Sequence, residues 1–486
     1  MEPLRVDTGS VPPLVRAVWE LLGSAGPTYL VGGAARDVIR GRPPRDWDLA
    51  TSLQPADMVA LVRRAHPEWT LAYGGIRWGT LVIRGSKGSG AVDVTSFRAD
   101  GVYRDGRRPT RVRFGTSWAV DAARRDFTIN ALAIDPDGQV VDTVGGLADL
   151  AAGCVRAVGP AVDRFREDPL RMWRAVRLLS QGPFHLEEAT AGAIRAERPR
   201  LAVVAPERQG EELTRLLAAE DPEALGQALA TLQELGVWDV IWPEWAVARG
   251  FPQNGRSVDA HCLATAVALP PRLRLAGLLH DIGKPVCARQ DSAGAWRFDG
   301  HEQVSALWAD RMLRRMRFPG KTTEDMTWLV AHHGFRWRQA TPTALRRLWV
   351  AEGPDRVRSL LALYEADVAA LGDEPPSHPS TLRAKLEAAV ITDAPYGLKL
   401  ACTGEDVQEW LGMGRPSRAV GAVLTHLRNW VLLHPENNHG QALHREALQW
   451  QRRHGGIPPA QRPEDSAPKA APEETAEEKG APHHDP

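Results

Sequence analysis

Asp46 and Asp48 stand on either side of Trp47 in the segment RPPRDWDLAT. On an extended backbone alternate side chains share a face, so both carboxylates point the same way. Two like charges held together repel unless a divalent cation lies between them. Mg²⁺ suits that gap, because it binds through one or two carboxylates plus the phosphate oxygens of a substrate. Upstream, Gly32 and Gly33 follow the apolar run TYLV and precede a helical stretch. With no Cβ in the way, their backbone amides can approach a phosphate. Arg36, one helical turn further on, reaches the same phosphates. A solvated D-x-D turn or a plain tight turn would be written with the same letters. The two motifs occurring in one short segment favour cation-assisted chemistry on a phosphorylated substrate.

A second constellation lies far downstream. LRLAGLLHDIGKP puts His280 and Asp281 at the end of an apolar helix, just before a Gly-Lys-Pro stop. Burying such a pair is costly unless it binds something. His261, His301, the adjacent His332 and His333, and Asp367 could join it. Imidazoles and carboxylates suit a divalent transition metal, and six such groups could hold two ions.

The elements that must position these residues change in character along the 486-residue chain. After an amphipathic helix, LVRAVWELLG, short strand-like runs recur (TYLVGG, TLAYGG, GTLVIRG, AVDVTSF, INALAID, QVVDTVGG), separated by glycine-rich turns. Beyond about residue 150, Ala/Leu/Arg-rich segments of helical spacing dominate to about residue 455. The expected fold class is α+β: a small mixed-sheet head followed by a long helical remainder. Hydrophobic residues at 43% and charged residues at 25% are ordinary for a globular chain. The 60 basic and 60 acidic residues cancel, but unevenly. Between Arg98 and Arg125 there are eight arginines against three aspartates, in a Gly/Pro-punctuated text that reads as a basic, mobile loop suited to a polyanion. The last thirty residues carry seven acidic side chains and almost no large apolar ones, and are expected to be disordered. The four cysteines are scattered without a C-x-x-C pair, which argues against a disulfide framework and a thiolate zinc site. No apolar run is long enough to span a membrane and no signal peptide opens the chain, so a soluble, cytoplasmic protein is expected, with no membrane and no stable protein partner.

The glycine turn and paired acids resemble the nucleotidyltransferase superfamily that includes DNA polymerase β. Its third acid falls between two apolar residues on a later strand, as Asp93 does in Val92-Asp93-Val94. LVGGAARD, RDWDLAT, VDVTSFR, RRDFTINALA and EDPLRMWRAVR, in this order, are similar to the bacterial tRNA CCA-adding enzyme and poly(A) polymerase family. That resemblance implies a nucleotidyltransferase head (1–150), a helical neck that reads the incoming base (151–220), a helical body (221–375), a helical tail contacting tRNA (376–455) and a disordered end (456–486). It implies Asp46 and Asp48 as metal ligands, with Gly33, Arg36 and Arg125 contacting the nucleotide. Trp47 departs from the aliphatic residue usual between the two acids, which alters packing beneath the site. In the neck, Asp168 before Pro169 reads as a helix cap, and Arg171, Arg174 and Arg177 follow at three-residue steps on one side. By the family's E-D-x-x-R motif, Asp168 and Arg171 would pair with the base edge, and Arg174 and Arg177 would support the base or phosphates. The order H…HD…H…H…D resembles HD-domain phosphohydrolases, carried by some bacterial CCA-adding enzymes. Either an active phosphatase or cyclic phosphodiesterase, or a degenerate RNA-binding scaffold, is compatible with it.

The implied reaction is template-independent addition of C, C and A from CTP and ATP to the 3′ end of tRNA, with pyrophosphate released. The family's CC-only enzymes lack the flexible basic loop that this chain carries. An A-adding-only enzyme, a poly(A) polymerase and a chain that is chiefly an HD phosphohydrolase are the alternatives.

Overall fold

The computed structural model describes residues 4–86, 88, 90–99, 113–115, 117–253, 255–371, 379–390, 399–413 and 418–454. The basic loop expected around Arg104, Arg107, Arg108 and Arg111, and the disorder expected at the C-terminal end, lie outside those residues. Two compact units emerge, Met1–Arg338 with Pro354–Thr381 and Gln339–Gly353 with Leu382–Pro486.

The first unit begins with helix α1 (Pro13–Gly23), whose Leu14, Val15, Val18, Trp19 and Leu22 make one apolar stripe. That stripe packs on a mixed sheet. Its strands are β1 (Thr28–Val31), β2 (Asp48–Thr51), β3 (Thr70–Ala72), β4 (Thr80–Arg84) and β5 (Ala91–Ser96), followed by Ala133–Ile134 and Val140–Val141. The order across the sheet is β3-β4-β5-β2-β1 and then the last two strands. Only β2 and β5 run parallel, and their register places Asp48 opposite Asp93. In β5 the pleat sends Val92 and Val94 into the core and leaves Asp93 on the other face. Helix α2 (Gly32–Ile39) starts directly at the end of β1. Gly32 has φ +70°, a left-handed conformation that only glycine adopts without strain, so the abrupt turn needs it. Trp47 packs at the edge of this core, where the sequence placed its effect.

INALAID, expected as one buried strand, is a single 3₁₀ turn (Thr128–Asn130) followed by the two-residue strand Ala133–Ile134. Local bonds close the turn, from the Asn130 N–H to the Phe127 carbonyl and from the Ala131 N–H to the Thr128 carbonyl, and the Asn130 side chain accepts a hydrogen bond from Arg36 at 2.9 Å. In the neck the helix runs Leu170–Leu179. Pro169 already has helical dihedrals, while Asp168 is extended and its carboxylate accepts the Leu170 N–H at 3.1 Å. Fully buried Trp173 meets Trp238 edge-on at 6.2 Å, and Trp238 stacks on Trp242 at 5.3 Å. The indole cluster fixes this helix against Pro222–Glu234 and Val237–Ile241.

The rest of the first unit is helical, with two-residue strands among the described residues: Cys154–Val155 beside His185–Leu186 in parallel, and the others antiparallel. Helices Val258–Ala268 and Arg274–Leu279 approach so closely that a Cβ on Gly277 would lie 2.8 Å from the Ala266 Cα. The second unit has its own core, in which Val407, Val423, Leu427, Val431, Leu443 and Ala447 from three helices interlock. No helix among the described residues is long and apolar enough to cross a membrane.

Candidate functional site

The head site is set by backbone register. Asp48 opens β2, Asp93 faces it on β5, and Asp46 stands in the bend just before β2. Among the described residues none of the three makes an ion pair. Burial, and then the neighbouring Asp93 charge, push the Asp48 carboxyl up to about 6, with Arg125 opposing and Asp46 adding to the shift. Asp93 is also raised, by burial and then by Asp46. Asp48 and Asp93, each raised by burial and a neighbouring acid, together with Asp46 beside them have the donor chemistry a hard divalent ion requires. The bare Gly32 exposes the acid: a Cβ there would lie 3.7 Å from both Asp48 Oδ2 and Arg125 Nη1.

The acids open into a cleft of about 940 Å³, whose lining includes Gly33, Asp46, Asp48, Arg174, Arg177 and Gln181. Arg125 stacks 4.7 Å over the Trp118 ring and donates to Asp121 at 3.1 Å. Arg36 also borders the cleft, but its guanidinium is shared out: Asp37 at 2.9 Å, Asn130 at 2.9 Å and Gln181 at 3.0 Å. Sequence spacing put Arg36 near the phosphates; those three bonds hold its fork at the cleft wall. Arg174, 40% exposed, pairs with buried Asp126 at 2.7 Å, and Arg177 pairs with Glu212 at 2.6 Å. Burial alone would raise the Asp126 carboxyl, but Arg174 and then Arg171 hold it low, so it stays ionised as an anchor.

Asp168 and Arg171 are not paired with each other. Asp168 Oδ2 is bound by Arg208 at 3.2 Å. Arg171 spends one nitrogen on Glu167 at 2.7 Å and another on the Arg124 carbonyl at 3.1 Å. Arg208, Asp126, Asn130 and Gln181 had no role assigned from sequence. Asp126 and Asn130 stand within RRDFTINALA and could have been found there; Arg208 and Gln181 carry no local signal.

The body brings together all five other expected ligands around Asp281. Its Oδ2 is 3.3 Å from His280 and 3.5 Å from His261, and Asp367 lies 2.8 Å from His261. Its Oδ1 is 3.2 Å from His301 and 3.3 Å from His333. Of the adjacent histidines, His333 is the inward one; His332 is exposed and stacks on Trp328. His280, His301 and His333 each place Nδ1 on a backbone carbonyl, of Gly277, Phe298 and Val330 respectively. That places a proton on each Nδ1 and turns the Nε2 atoms toward Asp281 and one another. At His280 burial opposes a second proton, but Asp281 holds the imidazole well above its ordinary range. A bound cation would take that proton's place on the lone pair. The His301 and His333 Nε2 atoms are 3.2 Å apart, and buried Asp281 Oδ1 has no hydrogen-bond donor. Facing lone pairs around an orphaned carboxylate oxygen fit two divalent ions sharing Asp281. Lys284, one residue beyond HDIG, is ion-paired to Asp281 Oδ2, a contact not anticipated from the motif. Burial works to raise the Asp281 carboxyl, but His280 and Lys284 hold it well below the usual carboxylate range.

Comparison with known proteins agrees with this geometry. Residues 28–156 match the Poly A polymerase head domain, 183–249 the probable RNA and SrmB- binding site of polymerase A, and 258–383 the HD domain. The CCA-adding enzyme of Lactiplantibacillus plantarum is 43% identical over 210 residues, covering 43% of this chain and 50% of that protein. That of Geobacillus thermodenitrificans is 44% identical over 209 residues, covering 43% and 49% respectively. These matches make the chain similar, over its head and the segment that follows, to poly(A) polymerases and CCA-adding enzymes. The matched region spans about half the length of these curated relatives. A Bacillus stearothermophilus CCA-adding enzyme solved in complex with CTP superposes with TM-score 0.60 at 26% identity, over 90% of this chain and 97% of that one. The Thermotoga maritima CCA-adding enzyme complexed with tRNA shares the fold, with TM-score 0.55 at 18% identity, over 93% of this chain and 100% of that one. Similarity to these nucleotidyltransferases implies use of a divalent metal.

Proposed function

We propose that this protein is a cytoplasmic tRNA nucleotidyltransferase that adds C, C and A, from CTP and ATP, to the tRNA 3′ end, using Mg²⁺. The observation that carries the reading is the registered pair Asp48 and Asp93, beside the Gly32 turn and Arg125, with Asp46 and Asp48 lining the arginine-bearing cleft. The likeness to a CCA-adding enzyme solved with CTP supports the substrate class.

Asp46 and Asp48 would hold the cation, with Asp93 completing the acidic floor. A divalent ion bound there would lower the pKa of the attacking hydroxyl and neutralise charge on the departing pyrophosphate. The remaining work falls to the chain itself. The Gly32–Gly33 turn lets the triphosphate approach the backbone, and Arg125, Arg174 and Arg177 supply positive charge along the cleft. Asp126 and Glu212 orient the last two. The terminal ribose hydroxyl then attacks the α-phosphorus in line, with no covalent enzyme intermediate. Asp168 and Arg171 would read the base: cytosine and adenine both offer an amino donor beside a ring-nitrogen acceptor, whereas uracil and guanine reverse that order. Since Asp168 begins in the hands of Arg208, the incoming amino group takes over that partner's place.

The test offers tRNAs ending before CCA, after C and after CC, with labelled CTP or ATP and Mg²⁺. Complete CCA addition is expected. AMP incorporation only onto the CC end would make this an A-adding enzyme, long A tails a poly(A) polymerase, and no incorporation would overturn the reading.

A second reading is favoured by the Asp281 cluster: the body is an active metal-dependent phosphohydrolase, not a degenerate scaffold. Intact convergence of six ligand groups supports it, and Mn²⁺-dependent phosphate release from a phosphomonoester or a 2′,3′-cyclic phosphate would test it.

A further inference from the structure

Next to the histidine–aspartate cluster the fold builds an aromatic surface that neither reading above uses. Phe251 precedes the hairpin formed by Pro252–Gln253 and Arg256–Ser257, and a second hairpin pairs Arg289–Gln290 with Trp296–Arg297. The Phe251 ring lies 5.4 Å from Trp296 and 6.4 Å from Phe298, at interplanar angles of 59° and 71°. Phe251 and Phe298 are half-buried, but Trp296 keeps 39% of its surface exposed at the rim. An indole braced by the Phe251 ring and left open to solvent is a ready stacking face.

Three contacts tie this surface to the ligand cluster. Lys284 lies 5.5 Å over the Phe298 ring while pairing with Asp281. The Phe298 backbone carbonyl accepts from His301 Nδ1 at 2.7 Å, which ties the ligand to the segment that carries the ring. Gln253, two residues from Phe251 and buried, donates to Asp281 Oδ2 at 3.4 Å, yet its own Oε1 has no donor. A buried acceptor without a donor marks a place where a water or a hydroxyl completes the site. Arg289 faces Arg297 across the second hairpin; Arg297 is neutralised by Asp291 at 2.9 Å, which leaves Arg289 as the cation beside the indole.

We propose that Trp296, backed by Phe251, which in turn meets Phe298, is a stacking shelf for the base of a nucleoside phosphate whose phosphate ester sits at the Asp281 cluster. The inference rests on the phosphohydrolase reading and adds what selects the substrate: base-bearing phosphates are preferred to base-less ones. In the step itself a water oxygen bonds to phosphorus and the P–O ester bond breaks. The water's proton passes to the departing sugar oxygen. Free nucleotides and RNA 3′ ends share this chemistry.

The test uses the full chain with Mn²⁺. Metal content is measured by elemental analysis, and affinity by isothermal titration. The probes are a non-hydrolysable phosphonate analogue of adenosine 3′-monophosphate and methylphosphonate, which has no base. Comparing each variant with wild type separates the shelf from the head's own nucleotide site. Trp296→Ala should weaken the nucleotide analogue about tenfold or more, Trp296→Phe should retain most of the affinity, and Mn²⁺ and methylphosphonate binding should not change. Equal nucleotide affinity in wild type and Trp296→Ala overturns the shelf and leaves the metal reading standing. Absence of bound Mn²⁺ in the wild type overturns both. An RNA with a 3′-terminal phosphate separates the two sources: tighter binding that falls with Arg289→Ala points to RNA ends, and affinity equal to the mononucleotide points to free nucleotides. Either supports the shared chemistry.

Discussion

The head and the body each gather carboxylates for a divalent cation, but they do it by different physics. In the head, ligands are hard oxygens on adjacent strands, and a single register, Asp48 opposite Asp93, fixes their spacing. In the body, nitrogen-rich ligands stand at or near helix ends, from His261 to Asp367, and only packing brings them around Asp281. The head acids border an open cleft, whereas His261, His280 and Asp281 are almost wholly buried. A site set by strand register tolerates exposure and admits a large substrate. A site assembled from helix ends depends on close contacts such as Gly277 against Ala266, and buries its ligands as a consequence.

The comparison breaks most sharply at Asp48. Asp48→Ala should reduce nucleotide transfer by at least a hundredfold while tRNA binding and folding survive, because several kcal/mol of transition-state stabilisation is removed. Single-turnover incorporation beside a tRNA gel-shift assay checks this; more than about a tenth of wild-type transfer would refute the role.

In the body, Asp281→Asn should abolish Mn²⁺-dependent phosphohydrolysis and leave transfer within about twofold, since one oxygen pair serves the whole cluster. Both activities are measured on one preparation. Loss of transfer in a folded variant would mean the two regions share one site.

The third expected effect separates the sites by pH. Asp48, pushed up to about 6, must lose its proton to serve as a ligand. Transfer should therefore fall as pH drops through about 6, by roughly tenfold per unit. Raising the cation concentration should move that limb to lower pH, because cation and proton compete. A rate that stays flat from pH 7 to pH 5 would contradict the assignment.

Base choice should change next. Asp168→Ala is expected to lower CTP and ATP use and to narrow their advantage over UTP by about tenfold, as the repulsion between carboxylate and uracil carbonyl disappears. Primer extension with each triphosphate decides it. An unchanged CTP:UTP ratio would leave Asp168 a helix cap and a partner for Arg208.

The smallest effect is on stability. The Asp48 pKa in the fold is raised above its unfolded value, so the stability tied to this group is present at low pH and lost as pH rises through about 6. Without added cation, Asp48→Asn should therefore stabilise the protein at pH 8 by about 1–2 kcal/mol, after allowance for partial solvent exposure. The gain should shrink toward pH 5. Urea denaturation at both values measures it.

Much of this was legible along the chain because the information is local. Gly32, Gly33, Asp46 and Asp48 stand within one strand–turn–helix–strand segment, and alternation in β5 alone turns Asp93 away from Val92 and Val94. The helix cap at Asp168 and the apolar stripe of α1 follow from the same short-range rules. Periodicity also separated the sheet-bearing head from the helical remainder.

What the tertiary structure decided lies where partners are distant in sequence. Which of His332 and His333 turns inward depends on the packing of the Gly320–His332 helix against its neighbours, which adjacent identical letters cannot express. That Arg36 is held by Asn130 and Gln181, and Asp168 by Arg208, follows from long-range hydrogen bonds with no periodic trace. INALAID read as a strand by its apolar letters, yet its first residues close a 3₁₀ turn by local backbone bonds, with Asn130 bound to the distant Arg36. Residue type and spacing thus determined which groups could do chemistry. Chain folding over more than a hundred residues decided which of them meet, because a buried polar group takes whatever partner the packed fold brings within reach.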